Sequence, residues 1–152
     1  KNTGRPEGFY ESVFITKYLD SPNQPLFPFG YGLSYTTFEY SEIQMEDKQL
    51  TRDGKLNVSV KVKNTGKYKG IETVQLYIRD LVASVTRPVK ELKSFRKVEL
   101  KPGEEKKVEF VITEKDLRFW NDKKQFISEP GKFHLFIGTD SENVKKAEFV
   151  LL

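Results

Sequence analysis

The sequence contains no cysteine, one histidine, one methionine and one tryptophan among 152 residues. Without cysteine there is no disulfide framework, no thiolate nucleophile and no Cys-based zinc site. With His134 alone, most His-based metal cages and Ser-His-Asp arrangements are excluded as well. Long hydrophobic runs are also missing: no stretch approaches the roughly 20 apolar residues that span a bilayer, so a membrane is not an expected partner. The chain does not open on a charged-then-apolar leader. Beginning Lys-Asn-Thr-Gly, it reads as an internal fragment or a processed product. Charge of one sign is scarce too, with 26 Lys+Arg against 22 Asp+Glu and a net charge of +4. The lysines at 61, 63, 67 and 69 and at 123 and 124 alternate with acidic or apolar residues and never form the contiguous stripe of a nucleic-acid face. Nucleic acid is therefore not an expected partner. Lysines on exposed strand positions also serve to block edge pairing.

What the sequence does hold is aromatic bulk and a change of rhythm. Twelve Phe and seven Tyr supply large core side chains, and a chain of this length buries roughly 70% of its unfolded surface. Four of the seven prolines (Pro6, Pro22, Pro25 and Pro28) fall within the first 37 residues. Prolines at 22, 25 and 28 remove backbone donors and push their predecessors toward extended conformations, so neither helix nor central strand can run through Ser21 to Phe29. Residues 1–37 thus read as an irregular arm. It is too rich in aromatics (Phe9, Tyr10, Phe14, Tyr18, Phe27, Phe29, Tyr31 and Tyr35) to be a solvated linker.

From Phe38 onward the period is two. Leu56, Val58, Val60 and Val62 alternate with Asn57, Ser59, Lys61 and Lys63, and Val74, Leu76 and Ile78 alternate with Gln75, Tyr77 and Arg79. Phe95 to Leu100 is joined to Val108, Phe110 and Ile112 through Lys101-Pro102-Gly103-Glu104. Pro then Gly suits a type II turn here, in a hairpin or a sheet-crossing connection. Thr113-Glu114-Lys115-Asp116 is positioned to cap one short helical turn that tucks Leu117 and Trp120 inward. Phe133, Leu135 and Ile137, with His134 and Phe136 between them, and then Ala147, Phe149 and Leu151 complete the set. With Phe38 to Met45 as the first strand, the count is about seven short strands and no long helix. That pattern predicts an all-β, immunoglobulin-like (fibronectin type III-like) antiparallel β-sandwich over residues 38–152, preceded by the arm.

Chemistry-bearing patterns are few. A glycosidase needs two carboxylates about 5 to 10 Å apart, but the acidic residues sit beside lysines on outward strand positions or in turns and read as solvated charge. His134 falls on the outward side of its strand without a Ser, Cys or second His nearby and reads as a surface residue. Asn57-Val58-Ser59 matches a glycosylation acceptor, yet it lies within the clearest strand rather than in a loop. Gly30-Tyr31-Gly32 lacks the spacing of a phosphate-cradling loop and reads as a tight, aromatic-flanked bend. No catalytic residue, metal ligand or cofactor is expected.

One run is distinctive. Pro25-Leu26-Phe27-Pro28-Phe29-Gly30-Tyr31-Gly32-Leu33-Ser34-Tyr35-Thr36-Thr37-Phe38 resembles the junction segment of family 3 glycoside hydrolases, the β-glucosidase and β-xylosidase family. It is followed in order by segments similar to that family's C-terminal fibronectin type III-like domain: Val60 to Gly66, Val74 to Asp80, Arg87 to Leu92, Leu100 to Glu104, Glu129 to Phe133 and Ile137 to Ser141. Upstream, Thr3-Gly4-Arg5-Pro6 and Tyr18-Leu19-Asp20 are similar to the last stretch of the family's α/β domain. The resemblance implies that residues 1–37 are the tail of an α/β domain. It also implies that the family's nucleophile and acid/base carboxylates lie upstream of this segment, since none of the catalytic motif maps onto it.

The expected function is therefore that of a non-catalytic C-terminal accessory module. It would stabilise and pack against the catalytic domains of the same polypeptide, whose substrate would be an oligosaccharide or glycoside with terminal β-linked sugars. Phe27, Phe29, Tyr31 and Tyr35 of the arm, with Val85, Arg87 and Pro88 of the loop from Asp80 to Pro88, are the interface candidates. The aromatics have no periodic element to serve, and Leu81, Val82, Ala83 and Val85 place apolar residues in a loop that should otherwise be polar. A free-standing glycan- or protein-binding module is the alternative. A parent that degrades polysaccharides favours a periplasmic or secreted setting over a cytoplasmic one.

Overall fold

The computed structural model describes residues 25–152. The readings that fall on residues 1–24, including Phe9, Tyr10, Phe14 and Tyr18, lie outside the described residues. Among the described residues eleven strands run in chain order: β1 (Phe38–Tyr40), β2 (Gln44–Met45), β3 (Gln49–Leu50), β4 (Lys55–Asn64), β5 (Gly70–Asp80), β6 (Glu91–Leu100), β7 (Glu105–Thr113), β8 (Phe119–Trp120), β9 (Phe126–Ile127), β10 (Gly131–Gly138) and β11 (Val144–Leu151). A 3-10 turn, Glu114–Leu117, lies between β7 and β8. In one sheet β4 pairs with β7 along one edge and with β1 and β2 along the other. The second sheet has the order β3-β11-β10-β5-β6, antiparallel apart from the short β3–β11 pair. A small third ladder joins β8 to β9. This is the immunoglobulin-like sandwich that the alternation predicts.

The core between the sheets is filled by the residues on one phase of each strand. Leu56, Val58, Val60 and Val62 of β4 and Val108, Phe110 and Ile112 of β7 face Val74, Leu76 and Ile78 of β5, Phe133, Leu135 and Ile137 of β10, and Phe149 and Leu151 of β11, all buried. Phe133 and Phe149 stand opposite each other in the ladder, and their rings stack 5.3 Å apart. At Lys101-Pro102-Gly103-Glu104 the Glu104 N–H donates to Lys101 O (3.0 Å) and Gly103 takes φ +76°. These are the marks of a type II turn. Because β6 and β7 belong to different sheets, this turn is a sheet crossing rather than a hairpin.

Two local expectations need correction. Phe38 to Met45 is not one strand but two. The Ser41 hydroxyl takes the Lys61 N–H at 2.9 Å, so a side chain replaces a ladder acceptor and the pairing breaks between β1 and β2. Trp120 does not tuck inward. The Thr113 N–H and hydroxyl both donate to Asp116 Oδ2 (2.7 and 2.8 Å), and the turn after them forms as expected and buries Leu117. Strand β8 then places successive residues on opposite faces, so Phe119 enters the core and Trp120 stays 65% exposed.

Candidate functional site

The bend at Pro28–Tyr31 is where the arm meets the sandwich. Tyr31 N–H donates to Pro28 O at 3.0 Å, and Gly30 sits at φ +82°, the left-handed conformation that glycine adopts without penalty at the third position of a type II turn. The backbone so presented is read by the outer face of the five-stranded sheet. Gln75 Nε2 donates to Gly30 O (2.9 Å) and also to Thr139 O, and Ser141 N–H donates to Phe29 O (2.9 Å). The Tyr77 hydroxyl lies 3.4 Å from Phe29 O and donates to Gln75 Oε1 at 2.5 Å, and the Phe29 ring meets Tyr77 edge-on at 6.4 Å. A second anchor follows at Thr36, whose hydroxyl donates to the buried Asn64 Oδ1 at 2.6 Å. Between and before these anchors Leu26, Phe27, Tyr31, Leu33 and Tyr35 point outward; Leu33 is 89% and Tyr35 98% exposed. The Phe27 and Tyr31 rings lie against each other, 4.9 Å apart and tilted by 34°.

The loop between β5 and β6 is fastened to the same face. Ser84 donates through its N–H and its hydroxyl to the Glu129 carboxylate (2.8 and 2.6 Å). Arg87 pairs with Glu91 at 2.8 Å and lies over the Phe119 ring at 4.4 Å. Lys90 sits over Phe136 at 4.9 Å and donates to Ser141 O. The Ser141 backbone therefore joins the two halves, its N–H holding the arm and its carbonyl the loop. Val85 and Arg87 are half-buried, and Pro88 and Val82 are exposed. Burial pushes the Asp80 carboxyl up, against the pull of the Val82 N–H and Arg87, and it pulls Lys90 down. Asp80 Oδ2 and Arg87 Nε are both buried without a partner among the described residues.

Gln75, Tyr77, Phe136 and Ser141, which hold this surface together, were not among the expected site residues. Tyr77 and Phe136 occupy outward phases, the phases read as wet, yet both are buried. The available signal was their pairing: two aromatics that stand opposite each other on neighbouring strands, both pointing away from the core. His134 is half-buried rather than on an open surface. Its ring edge lies against Phe136, its Nε2 is 3.0 Å from Glu148, and burial together with Lys146 lowers its basicity.

The buried carboxylates are committed to structure. Tyr40 donates to Glu72 at 2.7 Å. Burial alone would raise the Asp140 pKa, but the Asn143 amide, the backbone N–H groups of Asn143 and Glu142 and the Thr139 hydroxyl together hold it below the usual carboxylate range. Glu114 accepts from Arg118 and Ser128. What the arm and the loop supply is an exposed apolar and aromatic surface.

The architecture defines the class, an all-β module of fibronectin type III-like form, and residues 72–141 match the fibronectin type III-like domain family. The chain is similar to the C-terminal segment of family 3 glycoside hydrolases. It is 49% identical over 152 residues to a periplasmic β-glucosidase of Salmonella typhimurium, matching 99% of this chain and 20% of that protein. It is also 55% identical over 123 residues to the β-glucosidase BoGH3A of Bacteroides ovatus, matching 80% of this chain and 16% of the relative. A solved β-glucosidase from Listeria innocua, in complex with glucose, superposes with a TM-score of 0.88 at 42% identity, over 98% of this chain and 21% of its own. The chain thus spans about a fifth of the length of the curated relatives it matches.

Proposed function

We propose that this chain serves as a non-catalytic module of a larger hydrolase acting on terminal β-linked sugars, and that the surface of Phe27, Phe29, Tyr31 and Tyr35, with the Val85-Arg87-Pro88 loop, docks it onto the catalytic domains of the same polypeptide. The division at residues 37 and 38 belongs to the same proposal, with residues 1–37 as the tail of the preceding domain and 38–152 as the sandwich. The observation that carries the reading is the double pinning of the arm. Anchors at Gly30 and Thr36 hold a row of large apolar side chains in solvent, an arrangement that costs hydration free energy unless another surface covers it. The resemblance to glucosidase segments supplies the class of substrate for the parent.

Two measurements test it. The purified chain should release no aryl alcohol from aryl β-glucosides or β-xylosides above background; turnover abolished by changing one Asp or Glu of this chain would overturn the reading. In the full-length parent, Phe27→Asp with Leu33→Asp should lower the melting temperature of the catalytic domains, and an unchanged melt would overturn the docking surface.

A further inference from the structure

The small β8–β9 ladder carries a feature that neither the core nor the arm uses. Trp120, the only tryptophan in the chain, is 65% exposed and Phe126 is 49% exposed. The two stand opposite each other in the ladder, their ring centroids 5.4 Å apart and their planes tilted by 42°. The turn that holds them is tightly bonded: Asn121 N–H donates to Gln125 O (3.0 Å), Lys124 N–H to Asn121 O (3.1 Å) and Gln125 N–H to Asn121 Oδ1 (2.9 Å). Asn121 Nδ2 donates to Gln125 Oε1 at 3.2 Å, which leaves Gln125 Nε2 without an acceptor among the described residues. Below, Phe119 is buried under the Arg87 guanidinium, so the ladder is seated on the sandwich and is not a loose flap.

We infer that the Trp120–Phe126 step is a binding platform for a β-linked gluco- or xylo-configured oligosaccharide. A β-gluco or β-xylo pyranose carries its hydroxyls equatorially, so each ring face is a patch of C–H groups that stacks on an aromatic face while the hydroxyls radiate toward the rim. The turn that joins the two strands is polar, with Asp122, Lys123, Lys124 and Gln125 all exposed next to the ring pair in the chain. A flat protein surface would call for a broader apolar patch, whereas this one is the Trp120–Phe126 pair followed by a polar, exposed turn. The inference rests on the reading that the parent handles β-glycosides. It adds a site for such a chain on the accessory module, at the end of the sandwich that carries the Arg87 loop.

The sole tryptophan makes the test direct. Titration of the chain with cellotriose or xylotriose should give a saturable blue shift and intensity change of Trp120 emission, with a dissociation constant on the order of millimolar. Mannotriose, with its axial hydroxyl, should bind at least about fivefold more weakly. Phe126→Ala and Gln125→Ala retain the reporter and should each weaken binding about fivefold or more, and Trp120→Ala should abolish the heat of binding in calorimetry. All three should melt within a few degrees of the parent chain, because the side chains removed are exposed. The inference is overturned by no emission change at about 50 mM of either trisaccharide, by equal response to mannotriose, or by wild-type affinity in Phe126→Ala. It is also overturned if Trp120→Ala in the full-length parent uncouples the domains while the isolated chain binds no trisaccharide, since Trp120 is then a domain contact. Docking and glycan binding fail separately, because Phe27→Asp with Leu33→Asp leaves this platform untouched.

Discussion

Replacing Asn64 should cost more stability than any other polar substitution in the sandwich. Its side chain lies fully buried at the end of β4 and makes four hydrogen bonds: it accepts from Thr36 Oγ1 (2.6 Å) and Gly66 N–H (3.0 Å) and donates to Tyr68 O (2.8 Å) and Leu100 O (3.0 Å). One amide thus joins the arm, the turn after β4 and the last residue of β6. In Asn64→Ala, water can reach Gly66 and Tyr68 at the rim, but Leu100 and Thr36 are buried. Each orphaned group there costs about 1–3 kcal/mol, so we expect a loss of about 3 kcal/mol. Against a total of roughly 5–15 kcal/mol this is a large fraction, and it corresponds to a fall in Tm of about 6–12 °C for a chain of this size. Asn64→Asp keeps the shape but removes both donors and turns a carboxylate toward two carbonyls, so it should be at least as damaging at neutral pH. Urea and thermal unfolding of both variants, with Lys61→Ala on the exposed phase of the same strand as control, provide the measurement. A fall below about 2 °C for Asn64→Ala would refute the assignment of Asn64 as the joint between these three segments.

Val60→Asp or Phe110→Asp should abolish cooperative unfolding, because a buried unpaired carboxylate costs several kcal/mol, whereas Lys61→Asp, on the solvent side, should melt within a few degrees of the parent; equal melts for the three would mean a strand slipped by one residue. Glu114, held below its usual pKa by Arg118, contributes stability above the unfolded value near about 4.3 and loses it as pH falls through the folded value. Glu72, raised by burial, has the opposite sign, its contribution being present below the unfolded value and lost as pH rises through the folded one. Melting curves between about pH 3 and pH 7 should therefore show Glu114→Gln less stable at neutral pH and flatter on the acid side, and Glu72→Gln more stable at neutral pH; the reverse order would contradict both assignments. Gly30→Val forces a β-branched residue into left-handed φ and drives its Cβ toward Gln75 and Tyr77. Limited proteolysis should then cut the arm before Thr36 faster than in the parent chain, and equal rates would show that the turn does not hold the arm.

The sandwich was legible because its core is written by strict alternation. Val58, Val60 and Val62, or Phe133, Leu135 and Ile137, each admit one burial phase, and Pro102-Gly103 admits little but a tight turn. Within the Phe29-Gly30-Tyr31-Gly32 run that carries the family resemblance, Gly30 is held to glycine by its left-handed φ and by Gln75 and Tyr77 standing where a Cβ would go. Burial on the outer face was not legible. Alternation says which residues share a face but not whether a distant segment returns to cover it, and Tyr77 and Phe136 are buried only because Phe29 and Lys90 arrive from 48 and 46 positions away. The inversion at Trp120 has the same root: a two-residue strand has no period to read, so hydrophobicity alone nominated Trp120 for the core while the ladder to β9 gave that place to Phe119. In both cases the missing information was a long-range contact, and in both cases the aromatic concerned lies where the two functional surfaces are drawn. Tyr77 supports the arm that the docking reading uses, and Trp120 carries the platform.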